Sequence, residues 1–147
     1  MTRPETAVAL FKQGFSCSQA ILAAFAKDLG LDRATALRVA SGFGGGMGRM
    51  GETCGAVTGA IMVLGLKHGS AAADDRQAKE LTYARVQEFV RQFTGRHQTT
   101  RCKELLGLDI STAEGLSAAK EKNLFATQCP TYVKDAAEIL ERLLEPS

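Results

Sequence analysis

Apolar positions recur at helical spacing along nearly the whole chain, and no stretch alternates apolar and polar residues long enough to make a strand. The first helix reads from Pro4 to Gln13, with Pro4 in the first turn, where its missing donor costs nothing, and Gly14 just past the end. Ser16 with Gln19 forms a capping box for the next helix, in which Cys17, Ala20, Ile21, Ala24 and Phe25 share one side, up to Gly30. Asp32 caps a third helix through Ala40, which ends at Ser41 and a glycine-dense loop.

After Thr53 no charged residue appears until Lys67. A helix apolar on all sides is a buried one, so Cys54 to Leu66 reads as the central helix, with Thr53 as its cap. Gly51, Gly55 and Gly59, with Ala56 and Ala60 beside them, let neighbouring helices approach closely. Membrane dimer helices share that spacing, but thirteen residues are too few to span a bilayer.

Asp74 to Thr94 is a long amphipathic helix with Leu81, Val86, Phe89, Val90 and Phe93 inward, and Gly95 ends it. Thr99 or Thr100 caps a short helix reaching Leu106 before Gly107, and Ser111 with Glu114 opens another, to Asn123. The last helix follows Cys129-Pro130, with Cys129 at the cap, and buries Val133, Ala136, Ala137, Leu140, Leu143 and Leu144. The expected fold is all-α: one domain over residues 1–147, a bundle of about seven helices around the Gly/Ala-rich central one.

At 147 residues and 45% apolar content the chain can build a core without help from a metal or a disulfide. Its net charge of +2 is small and its cations are interleaved with acids, which argues against nucleic acid or an anionic membrane as partner. The N-terminus carries Glu5 and Lys12 within its apolar part and does not read as a signal peptide. A cytoplasmic protein is expected, and there four cysteines are more often metal ligands or redox thiols than structural disulfides.

Cys17, Cys54, Cys102 and Cys129 each fall at the start of a predicted helix. Free N–H groups and the positive end of the helix dipole favour the thiolate there, the form that metals and disulfide exchange both require. No C-x-x-C or C-x-x-C-H is present, so neither a zinc ribbon, a thioredoxin-type dithiol nor a c-type haem site is written locally. Any shared site is assembled by the fold. Four thiolates at converging helix starts suit first an iron–sulfur cluster acting in electron transfer, with a metal-free exchangeable pair such as Cys17 and Cys54, or a zinc ion stabilising a structural or binding module, as the alternatives.

Six of the ten residues from Gly42 to Gly51 are glycine. Gly46-x-Gly48-x-x-Gly51 matches a dinucleotide fingerprint in form, but it follows a helix and no βαβ unit surrounds it. A better use of Gly44, Gly45, Gly46 and Gly55 is to bring bare backbone close to Cys54 and whatever it holds. Arg49, Glu52, Arg101 and Lys103 flank cysteines and read as solvated, His68 suits a helix C-terminus, and His97 is expected in a polar loop as a reserve ligand.

Cys17 in FSCSQAIL, the loop GFGGGMGRMGETCGAVTGA, Cys102 in RCKELLG and Cys129 in QCP together resemble the redox-active family named for its C…GCAxxG…C…C pattern, over nearly the whole chain. The box departs from that pattern, reading Thr53-Cys54-Gly55-Ala56-x-x-Gly59. The resemblance implies a helical protein of redox or iron–sulfur character, similar to a domain found beside haem segments in split-Soret-type cytochromes. A redox partner protein and a homodimer contact through the small-residue helix are further expectations.

Overall fold

A computed structural model describes residues 1–145. Among them are nine α-helices and no strand, so the fold is all-α. In chain order they are α1 (Arg3–Lys12), α2 (Cys17–Ala26), α3 (Arg33–Ala40), α4 (Gly55–His68), α5 (Arg76–His97), α6 (Cys102–Leu106), α7 (Ala113–Glu121), α8 (Leu124–Thr127) and α9 (Cys129–Leu144), with single 3-10 turns at Lys27–Leu29 and Ser41–Phe43. No described helix is long and apolar enough to cross a membrane.

Local signals set most of the starts. Thr2, Asp32 and Asp75 accept N–H groups at the heads of α1, α3 and α5, and Ser16 with Gln19 makes the reciprocal box at α2. Four caps differ from expectation: Arg101, not Thr99 or Thr100, caps α6, Gln128, not Cys129, caps α9, and two more lie at α4 and α7. Cys54, not Thr53, is the N-cap of α4, and Thr112, not Ser111, caps α7, because the Ser111 hydroxyl is taken by Asp109 Oδ1. The segment expected as one helix to Asn123 breaks there, with Asn123 in the left-handed region (φ 57°), and restarts as α8.

The main core joins α1, α2, α4, α5 and α9, with Phe25, Phe89, Phe93 and Leu140 fully buried. The stripe of small residues on α4 is used within the chain. A methyl group on Gly59 would fall 2.9 Å from the Ser18 carbonyl oxygen, and one on Gly55 would fall 2.8 Å from the Ser18 nitrogen, so α2 lies directly on α4. The helix is not buried on every side, since Leu66 is 37% exposed and Ile61 and Met62 are half-buried. Leu81, expected inward on α5, is also 37% exposed.

A second, smaller core gathers Leu106, Ile110 and Ala119 from α6, α7 and their connection, together with Cys102 and Cys129. Phe11, Cys17 and Tyr132 pack against both cores. The seam between them is where the sulfur atoms meet.

A four-cysteine cavity at the seam

Each cysteine reaches the seam from a helix start. Cys17 is the first residue of α2, Cys102 of α6 and Cys129 of α9, while Cys54 caps α4. All four line one cavity of about 650 Å³. All are free thiols: Cys54, Cys102 and Cys129 are buried and Cys17 is half-buried.

Two short segments hold Cys54 beside Cys102. The Cys54 N–H donates to the Thr100 carbonyl (2.7 Å), the Cys102 N–H to the Glu52 carbonyl, and the Lys103 N–H to the Gly51 carbonyl (3.0 Å). Thr53 and Arg101 thereby form an isolated antiparallel bridge, which links the glycine loop to the head of α6. Glu52 adds ion pairs to Arg101 (3.1 Å) and Lys103 (3.4 Å), but Arg101 is exposed and the other two are only half-buried, so the backbone bonds carry the registration.

The glycine loop curls through left-handed conformations at Gly45, Gly46, Met47, Gly48, Arg49 and Gly51. It closes on itself through Gly48 N–H to the Gly42 carbonyl (2.9 Å) and Glu52 N–H to the Gly46 carbonyl (2.9 Å). Met47 and Arg49 hold positive φ without being glycine, at about 1–2 kcal/mol each. Gly45, Gly46 and Gly55 line the cavity, whereas Gly44 packs behind its wall, where a methyl group would fall 2.9 Å from the Ser16 Cβ. Among the expected glycines, only Gly44 stands away from the cavity.

The thiols differ in their hold on a proton. Cys17 keeps its proton well above the ordinary thiol range, through hydrogen bonding first to Cys129 and then to Cys54, with burial adding to it. Cys54 is lowered, because the Cys17 thiol donates to it and the N–H groups of Ala56 and Val57 in the first turn of α4 favour its thiolate. Burial pushes Cys102 up to about 12, helped by the negative charge of Cys54 and Cys129.

Four thiolates are the right donors for an iron–sulfur cluster. Among the described residues, no group of three or more His, Cys, Asp or Glu side chains stands out as a metal site. The four cysteines expected as metal ligands all lie on the wall of this one cavity.

Several residues of the site had no local signal. His97 is not in a loop: α5 continues through Gly95 and ends at His97, whose Nε2 lies 2.8 Å from Asp135 on α9. The His97 ring meets Tyr132 edge-on at 5.0 Å, and the Tyr132 hydroxyl donates to the Leu105 carbonyl (3.0 Å), which braces α6 against α9. His68 does end α4, but its buried Nε2 has no hydrogen-bond partner among the described residues, and burial, Arg85 and Lys67 all lower its pKa, so the expected cation is disfavoured.

A family model described as "Putative redox-active protein (C_GCAxxG_C_C)" matches residues 15–143, a span that includes all four cysteines. No curated protein and no solved structure matches the chain.

Proposed function

We propose, from the premise that this chain belongs to the C_GCAxxG_C_C family of redox-active proteins, that it works by thiol–disulfide exchange, with Cys54 as the attacking thiolate and Cys17 as the resolving thiol. The observation that carries this reading is the contact between two thiols of opposite proton affinity on the wall of one cavity. The Cys17 S–H stabilises the Cys54 thiolate, and the head of α4 adds its own N–H groups.

The step balances without a metal. The Cys54 thiolate attacks one sulfur of a substrate disulfide, forming a mixed disulfide and expelling one substrate thiolate. Cys17 then gives its proton to the expelled substrate thiolate and attacks Cys54, releasing the second substrate thiolate and leaving a Cys17–Cys54 disulfide. The protein loses two electrons and the substrate gains them.

Thiol counting tests this. The reduced chain should carry four reactive thiols when denatured, and treatment with an oxidised dithiol should remove two reversibly, with Cys17 and Cys54 recovered as one linked peptide pair. Retention of all four thiols under oxidising conditions sinks the exchange reading.

A second reading is an iron–sulfur cluster for electron transfer, favoured by the presence of four thiols, twice the number exchange needs, around one cavity. The resemblance to the domain of split-Soret-type cytochromes belongs with it. A bound cluster would supply one-electron transfer, with Cys17, Cys54, Cys102 and Cys129 as the residues that would hold it. Anaerobically purified protein with visible absorption and near-stoichiometric iron and sulfide would favour this reading; a colourless preparation that cannot be reconstituted would reject it.

A further inference from the structure

The cavity carries more information than its sulfurs. Its walls are formed by apolar side chains, among them Phe11, Phe15, Leu106, Leu116 and Phe125. Its charged lining residues are Lys12, Arg49 and Lys120, and no aspartate or glutamate lines it. All three cations are exposed, and among the described residues none makes an ion pair with a carboxylate. In a chain of 18 cations and 16 acids, a cavity with three cations and no acid is a local excess of positive charge.

The reactive sulfur is reached only from inside this space, since Cys54 is 5% exposed and lies on the cavity wall. A disulfide on the convex surface of a folded protein cannot bring its sulfurs to Cys54, whereas 650 Å³ is in the range of pockets that enclose a small organic molecule. Arg49 is also held against its own backbone preference. Its φ is 62°, and the loop packs so tightly behind it that a methyl group on Gly45 would fall 2.9 Å from the Arg49 Cα. Strained residues of this kind persist where the surrounding fold over-determines them, and they cluster at ligand clamps.

We infer that the disulfide taken by this site is a small organic anion with an apolar or aromatic body, seated among the aromatic walls with its negative group toward Arg49 and Lys120. This rests on the exchange reading and names its substrate class. The electron balance is unchanged: the anionic disulfide is the oxidant and leaves as two thiolates, one of which takes the Cys17 proton.

The test uses the reduced full-length chain and three disulfides: dithiobis(nitrobenzoate), aromatic and anionic; dithiodipyridine, aromatic and neutral; and cystamine, cationic. Each rate is divided by the rate of the same disulfide with free cysteine, to remove intrinsic reactivity. The expected result is a normalised preference of about tenfold or more for the anionic aromatic disulfide over the neutral one, shrinking as salt is raised. The double variant Arg49→Gln/Lys120→Gln should lose most of that ratio, while Lys79→Gln, on α5 beside Tyr83, should keep it. Equal normalised rates, a preference for the neutral or cationic disulfide, or an anion preference that survives the double variant would overturn the inference and leave exchange standing. If no disulfide reacts, exchange itself fails. Binding of unreactive naphthalenesulfonate then decides the inference: binding lost in the double variant supports the anion-accepting cavity, and no binding overturns it.

Discussion

Gly46 and Cys102 stand against each other so closely that a methyl group on Gly46 would fall 2.7 Å from the Cys102 Cβ. The glycine loop is thus shaped to the head of α6, and its lack of side chains is what admits the third sulfur to the cavity. The same methyl group would also meet the Glu52 nitrogen at 2.7 Å, next to the backbone pairing that aligns Cys54 with Cys102.

Gly46→Ala is therefore expected to cost more than conformational strain. Overpacking adds about 1–3 kcal/mol, on top of about 1–2 kcal/mol for a side chain at positive φ. Gly48→Ala has a similar φ but nothing within 4 Å, so it should pay the strain alone. Urea midpoints of the two variants check the difference; equal losses would show that space beside Cys102 is not the constraint.

Gly55→Ala should separate the two thiols, because its methyl group would lie 3.1 Å from the Cys17 Cβ and 2.8 Å from the Ser18 nitrogen. The expected outcome is a loss of stability of about 1–3 kcal/mol and a lower yield of the Cys17–Cys54 disulfide. Gly65→Ala, on the same helix with nothing within 4 Å, should stabilise by about 0.5–1 kcal/mol. Thermal melting with peptide mapping distinguishes them.

Alkylation of Cys54 by iodoacetamide should titrate with a midpoint below the ordinary thiol value of 9.0, since its thiolate is favoured by the Cys17 hydrogen bond. Cys17→Ala removes that donor, so the midpoint should rise. A pH profile followed by mass spectrometry of the Cys54 peptide reads both; an unchanged midpoint in the variant would remove Cys17 from the mechanism.

Cys102 makes the fold sensitive to alkali. Its thiol ionises at 9.0 when unfolded and at about 12 when folded, so between those values the folded state binds more protons and stability falls as pH rises. Below pH 9 its contribution is fully present. Cys102→Ala should flatten the decline of urea stability between pH 9 and pH 12, measured against the parent over the same range.

Tyr132→Phe should cost about 1 kcal/mol, the usual worth of one hydrogen bond, by freeing the Leu105 carbonyl. His97→Ala should cost about 1–3 kcal/mol, as the half-buried Asp135 loses its 2.8 Å partner. Each is checked by equilibrium unfolding. Faster alkylation of Cys102 in either variant would report a loosened α6.

Short-range chemistry was enough for the helical class and for the sulfur positions along it. Ser16 with Gln19, Asp32 and Pro130 mark helix starts by hydrogen bonding and by φ, interactions spanning at most a few residues, so the cysteines beside them were legible as first-turn residues. The glycine density likewise announced a close approach before its target was known. Where the target lay could not be read. Helix α5 runs past Gly95 because Arg96 and His97 pair with Asp135 and Glu138 on α9, residues about forty positions away, and that pairing outweighs a glycine's weak helix preference.

The placement of the sulfurs is of the same kind. Periodicity along the chain says which face of a helix is buried, but not which other face it meets. Cys54 neighbours Cys102 through a pairing only a few residues long, too short to leave a pattern, and Cys17 reaches Cys54 because Gly55 lets α2 settle onto α4. The sequence alone determined that four thiols sit at four helix starts. Tertiary packing decided that Cys17 meets both Cys129 and Cys54, that the Cys54 thiol is the one lowered, and that three cations and an apolar wall surround them, because those relations are contacts between segments far apart along the chain.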